Sequence, residues 1–272
     1  ISACLVGSEM CIRDSYISLL IMIIVTPKCL CYNLNNQKKK GDNMNLRSKD
    51  VQPSESMPLG LMLAIVGGFL DAYTFSTRGG VFSNAITGNI VLLGLNLANL
   101  DFFHAFRYFL SLFAFASGVL IISLIQKRIK YITLIHWREI VLATEIVLIF
   151  VVGLIPNQYD TIANIIVPFT CAIQISTFRK VKGYACATTM CTGNLRVATE
   201  SLFGFITSKD KNQLKKSLTY YVVITFFLIG AIIGLVACKF WAIHAVWLCC
   251  IMLLALFPLM HNWHKKYGNI EE

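Results

Sequence analysis

Long apolar runs separated by short polar segments dominate the chain. A helix needs about 20 mainly apolar residues to cross a hydrocarbon core of about 30 Å. Six runs approach this length: Pro58–Phe75, Ala105–Ile125, Ile140–Ile155, Thr161–Phe178, Thr219–Cys238 and Trp241–Met260. Two further stretches, Gly79–Leu100 and Gly183–Ile206, are apolar but broken by glycine and polar residues. The pattern predicts an all-α integral membrane protein with about six transmembrane helices.

The two broken stretches share a tripeptide. Thr87-Gly88-Asn89 in the first stretch returns as Thr192-Gly193-Asn194 in the second. The residues upstream also correspond, because alignment of the two copies places Gln174 opposite Asp71. Internal duplication with interrupted segments is typical of membrane transporters. The sequence therefore predicts two related membrane repeats.

Positive charges predict the topology, since Lys and Arg concentrate on the cytoplasmic side of a membrane. If neither Thr-Gly-Asn stretch crosses, 16 Lys and Arg residues after Met44 lie in the cytoplasm and three lie outside. If both stretches cross, the charges alternate poorly between the two sides. The first arrangement gives cytoplasmic tails at 44–57 and 261–272. It also gives three spans in each repeat, 58–155 and 161–260.

An odd number of spans inverts the second repeat relative to the first. Each Thr-Gly-Asn stretch is then re-entrant: it bends at its glycine and leaves by the face at which it entered. Such backbone must be buried in protein or line a wet cavity. We expect Thr87 and Thr192 to cap the helices that follow, and Asn89 and Asn194 to pair with freed backbone groups. The alternative is a pair of ordinary membrane helices marked by polar residues.

The first 43 residues do not fit this plan. The run Leu5–Ser15 resembles the translation of an adapter used in sequencing libraries, so we interpret 1–43 as an artefactual extension and Met44 as the start. A membrane anchor over Tyr16–Val25 is the alternative.

Two motifs carry a resemblance to a known family. They are Gly68–Phe75 continued by Arg78–Asn89, and Thr188–Arg196 in the second copy. Over about Pro58 to Met260 the chain resembles the YoaK-type family of bacterial inner-membrane proteins. The resemblance implies a multi-span protein in the bacterial cytoplasmic membrane and brings no established activity.

Polar residues within or beside apolar helices are expensive unless they are paired or wet, so they are candidate pathway residues. Glu145 lies within one predicted span. Gly230 and Gly234 form a GxxxG motif suited to close packing or to a homo-oligomer. The candidate pathway residues are Asp71, Asn84, Thr87, Gly88, Asn89, Gln174, Thr192, Gly193, Asn194, Arg196 and Glu200.

Composition narrows the function. The chain is 56% hydrophobic and 14% charged, so the net charge of +10 fits cytoplasmic loops rather than nucleic-acid binding. Six of the ten cysteines follow Met44 in or beside apolar runs, and we expect neither a disulfide framework nor a metal site. No nucleotide-binding or hydrolase motif occurs, so we expect no cofactor and no enzyme activity.

Three functions remain open. The leading hypothesis is a transporter or permease-like protein for a small solute, with an anion as the favoured class and Asp71 as the coupling residue. Helix N-termini at the two turns, with Asn89 and Asn194 as donors, would favour the anion. A protein that assembles or regulates a partner in the bilayer is the second, and a lipid-acting enzyme is the third.

The charge distribution makes one direct prediction. Reporter fusions placed after Tyr131 and after Lys211 should both report a cytoplasmic location, because both loops carry clustered Lys and Arg. An external reading at either position would contradict the inverted arrangement of the repeats.

Overall fold

The computed structural model describes residues 55–128 and 136–258. This part of the chain is mostly α-helical. Its helices are α1 Met57–Thr77, α2 Ile86–Ala98, α3 Phe102–Arg128, α4 His136–Leu154, α5 Asp160–Thr177, α6 Cys191–Ser208, α7 Lys211–Trp241 and α8 Trp247–Leu254. Short 3-10 helices at Asn157–Tyr159 and Ala242–Val246 precede α5 and α8. The predictions for 1–43 and 261–272 lie outside the described residues.

Glycine lets α1 and α7 pack backbone against backbone. A Cβ added at Gly68 would collide with the Phe227 carbonyl, and one added at Gly230 would collide with the Ile65 carbonyl. At Gly234 an added Cβ would lie 2.8 Å from a carbonyl oxygen of α1. Small residues permit such close helix contacts within a membrane. The GxxxG motif is therefore occupied within the chain, where it joins α7 to α1.

A second helix pair repeats this packing. Gly118 of α3 meets the Phe169 carbonyl of α5, where an added Cβ would lie 2.7 Å from the oxygen. Further along the same two helices, Gln126 donates a hydrogen bond of 3.0 Å to the Ser176 carbonyl. Positions thus rise together along α3 and α5. They also rise together along α1 and α7, where Ile65 meets Gly230 and Phe69 meets Gly234, so both pairs run parallel.

In chain order the eight described helices form two sets of four, α1–α4 and α5–α8, and helices of one set pack against helices of the other. The most extensive packing joins α1 of the first set to α7 of the second, and α5 of the second set to α3 of the first. The main core cluster centres on α1, with Leu63, Phe69 and Leu70 fully buried. Each set thus places its first helix inside the bundle against the third helix of the other set.

Three segments of the described chain are long and apolar enough to cross a membrane: Met57–Thr77, Phe102–Lys127 and Lys211–Pro258. The first is 67% buried inside the protein, while the other two are 22% and 28% buried. Apolar side chains that protein does not cover suit contact with lipid. The prediction of an α-helical membrane protein agrees with this structure. The total of six spans stays a prediction.

Matching turns join α2 to α3 and α6 to α7. Leu100 has a φ of 59° and Lys209 a φ of 58°, and an aspartate follows each of them. Asp101 accepts a hydrogen bond from the His104 N–H at 3.1 Å, and Asp210 accepts one from the Asn212 N–H at 2.9 Å. The backbone N–H and ring of His104 hold the pKa of the exposed Asp101 carboxyl below its ordinary value. The same capping device therefore starts α3 and α7.

Two local features differ from the sequence prediction. A small antiparallel hairpin, β1 Lys180–Val181 with β2 Tyr184–Ala185, lies within the otherwise helical chain. The expected threonine caps are wrong, because Ala85 and Met190 occupy the N-cap positions of α2 and α6. Thr87 and Thr192 instead lie inside the first turn of each helix, together with Gly88 and Gly193. The chain therefore bends earlier, at Gly79, Gly80 and Gly183, and not at the tripeptide glycines as predicted.

The close contact between α1 and α7 predicts how much stability is lost when a methyl group is added at Gly230. Gly230→Ala should lower the free energy of unfolding by about 1–3 kcal/mol, because the new Cβ overlaps the α1 backbone. Gly94→Ala is the matched control: nothing lies within 4 Å of its added Cβ, and a helical Ala should stabilise by up to about 1 kcal/mol. Thermal unfolding in detergent measures both, and equal melting temperatures would contradict the packing.

Candidate functional site

Residues 78–85, called here the first loop, turn back from the end of α1 toward its middle. Gly79 and Gly80 have φ angles of 76° and 75°, which side chains rarely adopt, and they make the reversal possible. At the far end of the loop, Asp71 accepts hydrogen bonds from the Ser83 hydroxyl at 2.9 Å and the Asn84 N–H at 2.6 Å. This buried carboxylate therefore holds the start of α2 against α1.

Residues 178–190, called the second loop, approach α1 from its other end. The Lys182 N–H donates to the Glu55 carbonyl at 2.6 Å, just before α1 begins. A Cβ at Gly60 would lie 3.1 Å from Cγ1 of Val181. The loop then runs along α1 until the Thr189 side chain packs directly on Gly67.

The two loops meet at the middle of α1. Asn84 of the first loop donates to the Gly67 carbonyl at 3.1 Å, and Thr189 of the second packs on the same residue. Gly67 is the central residue of this helix of 21 residues, about 15 Å from each end. Helices α2 and α6 both begin here, so the N-terminal end of each points into the bundle.

Three buried polar atoms without partners belong to the two loops at this meeting point. Within the described residues, the Thr188 and Thr189 hydroxyls and the Asn84 side-chain oxygen have no hydrogen-bond partner. Each belongs to a residue less than 5% exposed. Buried polar groups are nearly always satisfied in folded proteins, so unpaired ones indicate a place for water or a ligand.

Asn89 and Asn194 perform the same structural task in the two copies. The Asn89 amide donates to the Phe82 carbonyl at 2.7 Å, and the Asn194 amide donates to the Ala187 carbonyl at 2.7 Å. Both bonds span seven residues. The expectation that these asparagines pair with loop backbone therefore holds.

The same bonds limit what Asn89 offers to a solute. Its amide also donates to the Ser111 hydroxyl at 3.1 Å, and its oxygen accepts from the Phe82 N–H at 3.0 Å. Both amide hydrogens are engaged within the protein. The idea that Asn89 donates to a bound anion is therefore not supported by this geometry.

The remaining motif residues lie away from the meeting point. Thr87, Thr192 and Gly193 are exposed, while Gly88 is half-buried against the Phe82 ring. Arg196 and Glu200 pair with each other at 2.9 Å on an exposed face of α6, with 77% and 62% of their side chains accessible. Such a pair contributes little to stability, and it does not join the buried cluster.

Gln174 joins a different buried group. Its amide donates to Oε1 of Glu145 at 2.8 Å, linking α5 to α4. Both Asp71 and Glu145 interact electrostatically with the Cys171 thiol of α5. The structure thus brings Asp71, Asn84 and Gln174 into the interior of the bundle and leaves Arg196 and Glu200 outside.

Sequence reasoning missed the role of Arg78, which it treated as an external loop charge. Arg78 is fully buried. It pairs with Asp160 at 3.1 Å and donates to the Val152 and Ile155 carbonyls at 2.9 Å. It also donates to the Tyr73 hydroxyl at 3.0 Å. Its partner is Asp160 rather than Asp71, so Arg78 locks the ends of three helices together.

Comparison with known proteins places this architecture in a family. A family model described as "Protein of unknown function (DUF1275)" matches residues 59–259, which include both loops and all the buried polar groups described above. The chain belongs to the DUF1275 family. It is 28% identical over 182 residues to UPF0700 transmembrane protein YoaK from Bacillus subtilis (strain 168), covering 63% of this chain and 79% of that protein. The resemblance to the YoaK-type family is confirmed, and no solved structure matches significantly.

The loop-closing asparagines lead to a stability prediction. Asn89→Ala should lower the free energy of unfolding by about 2 kcal/mol, because it leaves the Phe82 N–H and carbonyl buried without partners. Asn96→Ala in the same helix is the control, since Asn96 makes one local bond to the Leu92 carbonyl and should cost less than about 1 kcal/mol. Thermal unfolding in detergent compares them, and equal effects would show that Asn89 does not secure the loop.

Proposed function

We propose that this membrane protein is a permease for a small solute, with the pathway passing through the point where the two loops meet. The single observation that carries the proposal is the convergence of Asn84 and Thr189 on Gly67, at mid-length of a helix able to span a membrane. Interrupted helices that start at mid-depth are the usual construction of solute sites in transporters.

In this proposal the two halves form an inverted repeat with re-entrant loops. The loops reach Gly67 from opposite ends of α1, and each is closed by an asparagine bond across seven residues. Parallel pairing of α1 with α7 and of α5 with α3 also relates the halves. The proposed orientation puts Met57 and Lys211 toward the cytoplasm of a bacterium. The structure supports placing both on the same side, because the Tyr220 hydroxyl, near the start of α7, bonds to the Ala185 carbonyl of the hairpin beside the start of α1. The clustered Lys and Arg make that side the proposed cytoplasmic one.

An anion is the solute class that the proposal favours. The N-terminal ends of α2 and α6 each carry a partial positive charge, which stabilises a nearby anion. Asp71 already supplies one negative charge at the start of α2, through Ser83 and Asn84. The unpaired hydroxyls of Thr188 and Thr189 lie just before α6 and are free to donate to a second anion.

Asp71 then couples the solute to a proton. A charged solute and an ionised Asp71 about 6 Å apart would repel each other by roughly 3 kcal/mol at an effective dielectric constant of about 20. Protonation of Asp71 removes this repulsion, which corresponds to about 100-fold in affinity. By reciprocity, a bound anion raises the affinity of Asp71 for its proton, so the two move together.

Proteoliposomes that contain a pH-sensitive dye test this coupling. A panel of inorganic anions and small carboxylates is applied as an inward gradient, and internal acidification is recorded. Asp71→Asn should reduce proton flux at least tenfold, because the amide cannot exchange a proton. Asp101→Asn, an equal change at an exposed helix cap, should leave flux unchanged. Full flux in Asp71→Asn would exclude Asp71 as the coupling group.

The second loop has its own test in the same assay. Thr189→Val removes the unpaired hydroxyl while it keeps the shape that packs on Gly67, and it should weaken the apparent affinity for the transported anion about tenfold. Thr207→Val, on an exposed position of α6, is the control. A wild-type protein that moves no anion of the panel, and no neutral solute by a swelling assay, would contradict the permease proposal.

A further inference from the structure

Glu145 lies at the centre of α4 in surroundings that do not suit a charge. It is 1% exposed and sits one turn from Leu142 and Ile149, which are fully buried in the main core cluster. Within the described residues, the only hydrogen bond to its carboxyl group comes from the Gln174 amide, at 2.8 Å to Oε1. An ionised carboxylate buried with one neutral donor is strongly destabilised relative to water.

The Glu145–Gln174 pair lacks one hydrogen-bond donor. Oε2 of Glu145 and Oε1 of Gln174 are both buried, and both lack a partner in the described structure. An ionised carboxylate and an amide oxygen both only accept, so neither can satisfy the other. A protonated carboxyl group has one O–H to donate.

We propose that Glu145 is a proton-binding site, neutral at physiological pH, and that its O–H bonds to the Gln174 oxygen while the Gln174 amide bonds back to Glu145. The reciprocal pair satisfies both unpaired oxygens with one bound proton. It also joins α4 to α5 beside Cys171. The proton is the ligand of this site, and the inference does not depend on transport.

The neighbouring groups are compatible with a neutral acid. In the part of the chain that the structure describes, the titratable side chains that interact with Glu145 are the thiols of Cys171 on α5 and of Cys249 and Cys250 on α8. His244, in the 3-10 helix before α8, instead bonds to the Gly153 carbonyl at 3.0 Å. Among the described residues, no Lys or Arg forms an ion pair with Glu145. No counter-ion therefore holds the carboxyl in its charged form.

Infrared spectroscopy of the purified protein in lipid detects the proton directly. A neutral carboxyl group gives a carbonyl band separate from those of carboxylate and amide groups. The wild type at neutral pH should show a buried acid band that Glu145→Gln removes. Glu139→Gln, six residues earlier on the same helix, should leave that band in place. An acid region identical in wild type and Glu145→Gln would overturn the proposal.

Two further measurements cover a variant that fails to fold. Labelling of glutamate with carbon-13 in the wild-type chain should shift the same band, which assigns it to a glutamic acid without any substitution. The wild type should also lose thermal stability as the pH rises from the ordinary glutamate range toward neutral, because the unfolded chain then releases a proton that folded Glu145 retains. In Glu145→Gln this loss should be reduced. A band unmoved by the label, or a stability profile unchanged by Glu145→Gln, would count against a protonated Glu145.

Discussion

The backbone of the two loops must find its hydrogen-bond partners inside the protein, and the rest of the structure depends on this constraint. A backbone N–H or carbonyl group that is buried away from water costs free energy unless it finds a partner. Asp71 accepts a hydrogen bond from the Asn84 N–H. Asn89 accepts one from the Phe82 N–H and donates one to the Phe82 carbonyl. Each polar side chain therefore replaces the solvent at one break in the helical ladder, which explains why these residues occur in an apolar chain.

Satisfying the loops also requires space, and glycine on α1 provides it. Gly67 accepts Thr189 on its bare Cα, while its carbonyl receives the Asn84 amide. One residue later, Gly68 brings α7 into backbone contact on another side of the same helix. A side chain at either position would separate the second loop or α7 from α1. The dense packing and the polar centre are therefore two consequences of one short glycine pair.

The sequence predicted more of the architecture than of the candidate site. Apolar length predicted the helices, because local pattern determines them. The repeated tripeptide pointed to the right regions but not to the bends, which lie upstream of it at Gly79, Gly80 and Gly183. Partners across the fold were not predictable. Arg78 follows a span and reads as a surface charge, yet Asp160 and the carbonyls of Val152 and Ile155, at the end of α4 and just after it, hold Arg78 in the interior. Arg196 and Glu200, four residues apart, already contained their own pairing, and that spacing predicts the exposed ion pair correctly.

The same asparagine bond closes both loops, yet the aligned positions 71 and 174 carry different side chains with different partners. In the first copy an aspartate bonds to its own loop through Ser83 and Asn84. In the second copy a glutamine turns to Glu145 on α4, so Thr188 and Thr189 have no carboxylate to bind. Equal halves would place equal charges on both sides of the centre. The difference at this pair instead leaves the first loop beside an acidic group and the second loop with free hydroxyls. Glu145, which bonds to Gln174, is a second buried acidic side chain in the interior of the bundle.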